Sequence, residues 1–138
     1  MTEELLLRIG DVARDTHVSV DTIRHYERKG VLGDVVRDAS GYRRYPSDTV
    51  RRVWIIRRAM SIGFTLDELA QFFRQRNAGS PPCRKVRALA EKKLTDLEAQ
   101  ITMLNSIRAS LLQTLETWDA KLDRTPEGGF AFLFEELA

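Results

Sequence analysis

Two segments of this 138-residue chain concentrate arginine and tyrosine: Arg24-His25-Tyr26-Glu27-Arg28-Lys29-Gly30 and, further on, Gly41-Tyr42-Arg43-Arg44-Tyr45. The first is predicted to lie on a short helix, and the second to close a β-hairpin. Arginine carries a planar, permanently charged fork of donors, and tyrosine adds a hydroxyl on a stiff side chain. Such side chains on neighbouring elements suit the phosphates of a nucleic-acid duplex.

The distribution of charge supports duplex binding, although the net charge is only +2. Seven arginines and two aspartates lie within residues 35–58, whereas residues 77–138 carry eight basic and nine acidic side chains. A solvated surface explains most charged runs. Here every basic residue in 35–58 is arginine and two tyrosines are interleaved, so the pattern favours a duplex as partner.

Helical periodicity and capping residues organise the N-terminal part. A first helix is predicted over residues 7–15 and a second over about 20–29, with Ser19 as its N-cap and Gly30 as its end. Helix, short turn and helix form the unit whose second helix enters the major groove of DNA.

A hairpin and two further helices follow. Short strands on either side of the turn at 38–41 predict a wing. Ser47 or Asp48 is expected to cap a helix that runs to about Ser61, and Thr65 to cap a helix that runs to about Arg76.

The C-terminal half is dominated by one long helical pattern. Residues 77–82 are the one clear linker, and from Cys83 no glycine or proline interrupts the chain until Pro126. Apolar residues recur there at alternating steps of three and four, which is the coiled-coil period. A helix of this length cannot bury its seam on so small a monomer, so the pattern predicts an antiparallel copy as partner. The alternative is a helix that folds against its own domain.

The two arginine- and tyrosine-rich segments and their spacing, the Ile62-Gly63-Phe64 turn and the long helix that opens at Cys83 resemble the MerR family of bacterial transcription regulators. The resemblance implies a mainly α fold: a winged helix-turn-helix DNA-binding domain at 1–76, the linker at 77–82, an antiparallel coiled-coil dimerisation helix at 83–122, and a C-terminal effector or packing segment at 123–138. It also implies a homodimer on a pseudo-palindromic promoter operator, whose DNA is distorted for RNA polymerase when an effector binds at the dimer helix.

The resemblance, together with side-chain chemistry, nominates a set of DNA contacts. Tyr26 and Tyr45 could equally pack in the domain, and Gly41 is expected to supply the positive φ that the hairpin turn requires. The predicted contacts are Thr22, Arg24, His25, Tyr26, Arg37, Tyr42, Arg43, Arg44 and Arg57. His17 and His25 lack neighbours at metal-ligand spacing and are interpreted as polar surface.

The effector is where the chain departs from the family. Metal-sensing members carry three cysteines, of which this chain retains Cys83; Trp118 and a position at or near Glu127 stand where the others would be. A soft-metal site of several thiolates therefore cannot form within one chain, and an iron–sulfur cluster is excluded for the same reason.

Four interpretations of the effector region remain, and the cofactor is unknown. A mixed metal site could join Cys83 of one subunit to Asp119, Asp123 or Glu127 of the other. A small apolar or aromatic effector could bind among Trp118, Phe130, Phe132 and Phe134. Those aromatic residues could instead simply fill the space as core, which would leave a sensor that has lost its metal or a regulator locked in one state. Finally, Cys83 could respond to oxidants at its helix N-terminus.

Other function classes fit less well. We expect no enzyme, because no nucleophile–base constellation, metal triad or phosphate-binding glycine loop is present. The rival is a coiled-coil architectural protein that binds DNA without an effector. No apolar run is long enough for a membrane span, and the acidic Glu3 and Glu4 argue against a signal peptide, so a cytoplasmic location is expected.

Overall fold

The computed structural model describes residues 6–33 and 35–138, which leaves the interpretation of Glu3 and Glu4 outside the described residues. The chain divides into two compact units, Met1–Ala90 and Glu91–Ala138. The helices and strands are α1 (Ile9–Thr16), α2 (Val20–Arg28), β1 (Val36–Arg37), β2 (Arg43–Arg44), α3 (Thr49–Ser61), α4 (Leu66–Asn77), α5 (Cys83–Asp123) and a 3-10 helix (Leu133–Leu137).

The helix-turn-helix forms as its capping residues predict. α1 ends at His17, which adopts a left-handed conformation with φ of 57°. The hydroxyl of Ser19 accepts a hydrogen bond from the backbone N–H of Thr22 at 3.0 Å and begins α2. Val12 and Ile23 are fully buried between the two helices and the rest of the unit. The turn between α1 and α2 is therefore held by local hydrogen bonds and by a shared core.

The wing is a two-stranded antiparallel hairpin in which Val36 pairs with Arg44 and Arg37 with Arg43. Its base is joined to the segment that precedes α1, because Leu7 and Tyr45 exchange backbone hydrogen bonds of 2.7 and 2.8 Å. Gly41 turns the hairpin with φ of 82°, as expected. The Leu7–Tyr45 bridge brings the start of α1 beside the wing.

α3 and α4 complete the first unit. The predicted cap Asp48 stands at the N-cap of α3, although its side chain makes no capping hydrogen bond. Thr65 and Glu68 form a full capping box at the start of α4. The core collects apolar side chains from the helices, the wing and the connecting segments of this unit: Val12, Val18, Ile23, Tyr26, Val31, Leu32, Tyr45, Val53, Ile56, Phe64, Leu66 and Leu69.

α5 is one continuous helix of 41 residues, and none of them is buried. The seam predicted from the sequence is largely exposed, with Leu104 63% and Leu111 57% accessible. At the start of the helix, Val86, Leu89 and Ala90 are partly buried and pack against the core of the first unit, so over these residues the helix does fold against its own domain. No helix in the described part of the chain is long and apolar enough to cross a membrane.

The second unit ends in a segment that returns to α5. α5 ends at Asp123, before Pro126, and the chain closes in the 3-10 helix. The indole Nε1 of Trp118 donates to the carbonyl oxygen of Leu133 at 3.0 Å, and Lys121 pairs with Glu136 at 2.6 Å. Two hydrogen-bonded contacts thus fix the tail against the last turns of the helix.

Candidate DNA interface

A cleft of about 950 Å³ opens between the start of α1, the middle of α2 and the wing. Its walls carry six arginines and two aspartates, with one exposed tyrosine at the wing tip. The lining residues are Arg8, Ile9, Gly10, Asp11, Arg14, Arg24, Arg37, Asp38, Ser40, Gly41, Tyr42, Arg43, Arg44 and Tyr45. Because basic side chains dominate, the cleft is suited to a polyanion.

Asp38 organises the tip of the wing. One carboxylate oxygen accepts from the backbone N–H groups of Ser40 and Tyr42 at 2.9 and 3.0 Å, and the other pairs with Arg44 at 2.7 Å. Arg37 donates to the carbonyl oxygen of Gly41 at 3.0 Å. These contacts shape the turn and leave the side chain of Tyr42 68% exposed. The turn is thus a rigid support for an aromatic hydroxyl that faces solvent.

Glu27 connects α2 to the wing. Its carboxylate pairs with Arg43, with Oε1 3.1 Å from Nε and Oε2 3.1 Å from the terminal nitrogen, and also accepts from the hydroxyl of Tyr45 at 2.8 Å. Tyr45 is 1% exposed. Its burial, and secondly the neighbouring Glu27 carboxylate, raise the pKa of the Tyr45 hydroxyl to about 12. Tyr45 is therefore a core residue that remains a donor at physiological pH.

Asp11 caps the start of α1 within the cleft. The backbone N–H of Arg8 donates to its carboxylate at 3.1 Å, and Arg14 donates at 3.0 Å. These hydrogen bonds, with the Arg8 amide as the largest cause, hold the pKa of Asp11 below its ordinary value. Asp11 stays ionised and orients Arg14 along the wall of the cleft.

The cleft brings together five of the nine residues nominated as DNA contacts: Arg24, Arg37, Tyr42, Arg43 and Arg44. The other four lie outside it. Thr22 and His25 remain on α2, where the hydroxyl of Thr22 bonds to that of Ser19 at 2.8 Å. Arg57 is exposed on α3. Tyr26 is only 6% exposed, so its ring packs in the domain. A contact of its hydroxyl with phosphate stays a prediction.

Three residues of this region were not predicted from the sequence as part of the site: Arg8, Arg14 and Glu27. Arg8 directly precedes α1 and Arg14 lies in its last turn, both outside the basic stretch at 35–58. The Leu7–Tyr45 bridge and the packing of α1 against α2 bring them to the cleft. In the sequence, Glu27 is recognisable only as an acidic residue on the second helix. Its charge, opposite to that of the wing arginines, favours an ion pair with one of them, but no local pattern shows which arginine it contacts.

The candidate effector residues fall in both units. Cys83 is exposed at the first position of α5, within the first unit. In the second unit, Trp118 stacks edge-on against Phe134 with ring centroids 6.1 Å apart, and Phe130 lies 5.9 Å from Phe132. Phe130 is 85% exposed and Phe134 78%. A single chain therefore does not bury these phenylalanines as core, and their role stays a prediction.

Among the described residues, no group of three or more His, Cys, Asp or Glu side chains is placed to hold a metal ion. Cys83 is the one cysteine of the sequence. Since soft metals need several thiolate or imidazole ligands, any site that uses Cys83 must recruit ligands from another subunit.

Two sequence families match the chain. Residues 7–76 match the family described as MerR HTH family regulatory protein, and residues 50–114 match the family described as MerR, DNA binding. The first match covers α1 to α4, including the wing and the whole cleft. The second reaches from α3 into α5.

Individual relatives agree with those matches. The HTH-type transcriptional regulator ZntR of Escherichia coli K12 is 31% identical over 77% of this chain and 76% of its own length. The mercuric resistance operon regulatory protein of Serratia marcescens is 38% identical over 71% of this chain and 67% of its own. The crystal structure of the transcription regulator PbrR691 from Ralstonia metallidurans CH34 in complex with lead(II) superposes with a TM-score of 0.70 and 26% identity, over 80% of this chain and 85% of that one.

Proposed function

The chain belongs to the MerR family of DNA-binding transcription regulators, and from that premise we propose that its arginine-lined cleft binds a pseudo-palindromic operator within a promoter. It is a transcription regulator and not an enzyme. MerR-family regulators bind promoter DNA as homodimers, and we infer that a second copy covers the seam of α5. We place the dimerisation segment at 83–122, after a DNA-binding domain at 1–76 and a linker at 77–82, and the effector segment at 123–138.

The observation that carries this proposal is the charge and composition of the cleft. Arg24 projects from α2, which is the helix that enters the major groove in helix-turn-helix proteins. Arg37, Arg43 and Arg44 extend the same positive surface along the wing, where they would meet phosphates rather than bases. Two such surfaces, held by one dimer, match the two halves of an inverted repeat.

Regulation would act on the shape of the DNA. An effector bound at the dimer helix would change the distance or angle between the two DNA-binding domains. That change would bend and untwist the operator, which realigns the promoter elements for RNA polymerase. The protein would act in the cytoplasm, where its promoter and the polymerase are.

The DNA-binding proposal is tested by selection from random duplexes followed by gel shift. The wild type should enrich one inverted repeat and prefer it over random duplex by about 4 kcal/mol or more. Arg24→Ala and Arg43→Ala should weaken operator binding and reduce its salt dependence by about one counterion for each phosphate that is no longer neutralised. Arg74→Ala is the charge-matched control, since Arg74 is exposed on α4 outside the cleft.

Two results would contradict the proposal. Unchanged affinity in both cleft variants would remove the cleft from the interface. Enrichment of no sequence by the wild type would favour the alternative, an architectural protein that binds DNA without a preferred site and without an effector.

For the effector, the names of two relatives point to mercury resistance and to lead(II). A metal site here would combine Cys83 of one subunit with Asp119, Asp123 or Glu127 of the other, because one chain lacks the ligands. When bound, a metal ion would supply a charge that draws such carboxylates together. The alternative is a small aromatic effector beside Trp118, Phe130, Phe132 and Phe134.

Calorimetric titration of the reduced protein with divalent and thiophilic metal ions separates these proposals, with Cys83→Ser as the control. Saturable binding that the variant loses supports the site between subunits. Equal heats for wild type and variant would contradict it and direct attention to the aromatic cluster. Quenching of Trp118 fluorescence by a panel of aromatic compounds then tests the alternative.

A further inference from the structure

Glu27 is an acidic side chain at a surface that faces a polyanion. Its side chain is 13% exposed, and both carboxylate oxygens are engaged. A terminal nitrogen of Arg43 donates to Oε2 at 3.1 Å, the Nε of Arg43 lies 3.1 Å from Oε1, and Tyr45 donates to Oε2 at 2.8 Å. Charge alone makes a carboxylate unfavourable beside phosphates. Any favourable contribution of Glu27 to DNA binding must therefore come from the residues that it positions.

The Glu27–Arg43 pair joins two elements that would contact DNA separately. Glu27 is on α2 and Arg43 on β2, whereas Asp38 and Arg44 belong to one hairpin. Arg24 and Asp21 share one helix and approach only to 3.8 Å. A contact across elements limits how far the wing can move relative to α2, which a contact within one element cannot do.

The geometry of the pair leaves Arg43 available to a ligand. Two guanidinium nitrogens of Arg43 lie 3.1 Å from the two carboxylate oxygens of Glu27, which fixes the plane of the fork. The side chain of Arg43 remains 44% exposed, so its other N–H donors can reach a phosphate without breaking the pair. Tyr45, buried at the base of the wing, donates to the same carboxylate and so also fixes its position.

The geometry points to Glu27 as a positioning residue for DNA binding. It sets the orientation of the Arg43 guanidinium, so that α2 and the wing present their donors to the duplex in one register. This inference rests on the proposed function of the cleft. It assigns Glu27 no contact with DNA of its own.

Glu27→Gln separates positioning from simple charge because the two effects have opposite signs. Removing a negative charge should tighten binding to every duplex. Losing the position of Arg43 should let the wing shift relative to α2, which disturbs the register of α2 on the bases. Binding to the selected operator should therefore weaken about tenfold, the size of a coupling between contacting residues. Binding to a random duplex should stay equal or become tighter. The ratio of operator to random affinity is therefore the diagnostic quantity.

Asp21→Asn is the matched control. Asp21 lies on the same helix, and its side chain is 95% exposed. The substitution removes the same charge without touching the wing and loses only a 3.8 Å contact with Arg24 within α2, so its ratio of operator to random affinity should change less than that of Glu27→Gln. Glu27→Asp retains the charge but shortens the side chain by one methylene, so positioning predicts a lower ratio for it as well. A ratio unchanged in both Glu27 variants would overturn the inference.

A double-mutant cycle with Arg43→Ala completes the test. In that background Glu27→Gln should no longer weaken operator binding, because the group it positions is gone, and only the tightening expected from the removed charge should remain. An equal effect in both backgrounds would assign Glu27 a role independent of Arg43 and would overturn the inference. Urea unfolding of each variant shows whether a loss of affinity reflects a loss of folded protein.

A measurement without DNA keeps the inference distinct from the proposed function. The NMR signal of the Arg43 Nε–H, identified by its absence in Arg43→Lys, should shift and exchange faster with water in Glu27→Gln and not in Asp21→Asn. If the wild type selects no operator while this signal behaves as expected, the proposed function fails and the contact stands. If the signal is indifferent to Glu27, the positioning inference fails by itself.

Discussion

The cleft and the long helix differ in how far one chain buries their apolar side chains and pairs their charged ones. Around the cleft, Ile23 and Tyr45 are at most 1% exposed, and Arg43 and Arg44 are paired with carboxylates. Along α5 no residue is buried, and Leu104 keeps 63% of its surface accessible. A single chain is therefore enough to build the cleft, whereas the seam of α5 becomes a core only when a second surface covers it.

The largest effect is expected from charged residues introduced into the seam. Leu104→Asp with Leu111→Asp should abolish the dimer, since each buried leucine contributes about 1.5–3 kcal/mol and each copy loses two. Operator affinity should fall by about 100-fold or more, because one half-site alone would be bound. Analytical ultracentrifugation measures the first effect and gel shift the second.

Ser106→Asp serves as the control for this substitution. It lies two residues from Leu104, roughly 200° around the helix, and should leave the dimer intact. A double variant that remained dimeric would mean that the seam is not the interface between copies.

Truncation of one aliphatic side chain in each region tests whether that region is stable within one chain or only in the dimer. Ile23→Ala removes part of a fully buried side chain and should lower the free energy of unfolding by about 2–5 kcal/mol. That decrease should be the same at every protein concentration. The decrease for Leu104→Ala should instead depend on protein concentration, because it acts through association.

Urea unfolding monitored at two protein concentrations provides this measurement. If the loss of unfolding free energy depended on protein concentration for Ile23→Ala, or did not depend on it for Leu104→Ala, the result would contradict the view that one chain builds the cleft whereas the seam requires a partner.

Tyr45 makes the cleft sensitive to alkaline pH. A tyrosine whose pKa is raised from 10 to about 12 holds its proton more tightly in the folded state. Stability from this group is complete below pH 10 and is lost as the pH rises to about 12, up to about 2–3 kcal/mol in total. Unfolding free energies measured across that range should show the decline.

Tyr45→Phe should lack this component of the pH dependence while starting from a lower stability, because it leaves Glu27 without one donor. The same alkaline slope in Tyr45→Phe would mean that another group is responsible for it.

The smallest expected effect concerns the tail of the second unit. Trp118→Phe removes the indole N–H that donates to Leu133 and should cost about 1 kcal/mol. Hydrogen exchange of residues 130–137 should accelerate, while exchange in α1 and α2 should not change. Phe134→Leu, which keeps that hydrogen bond, provides the comparison, and equal exchange in both variants would exclude the indole as the tether.

Local signals predicted the boundaries of the fold well. Ser19 and Thr65 begin helices because a side-chain oxygen accepts from a backbone N–H three residues later. Gly41 turns the wing because it tolerates a positive φ. α5 begins at Cys83, as its pattern indicates, and ends at Asp123, slightly before the proline that bounds it. Each of these signals acts within a few residues.

The candidate interface was predicted only in part. The basic composition of 35–58 and of α2 identifies Arg24, Arg37 and Arg43, whose residue types alone suit phosphate. Arg8 and Arg14 could not be found that way, because they join the cleft through a backbone bridge between Leu7 and Tyr45. That bridge is a contact between residues distant in sequence, and no periodicity encodes it.

The order of the helices, the wing, the family and the apolar seam that requires a partner are all predictable from the sequence, since spacing, capping and composition are local properties. Which arginines share one cleft, and which of them pair with a carboxylate, depends instead on how the elements pack. Glu27 meets Arg43 and Tyr45 because α2, the wing and the segment before α1 pack together on one core. The direction of a side chain at such a junction depends on three elements at once.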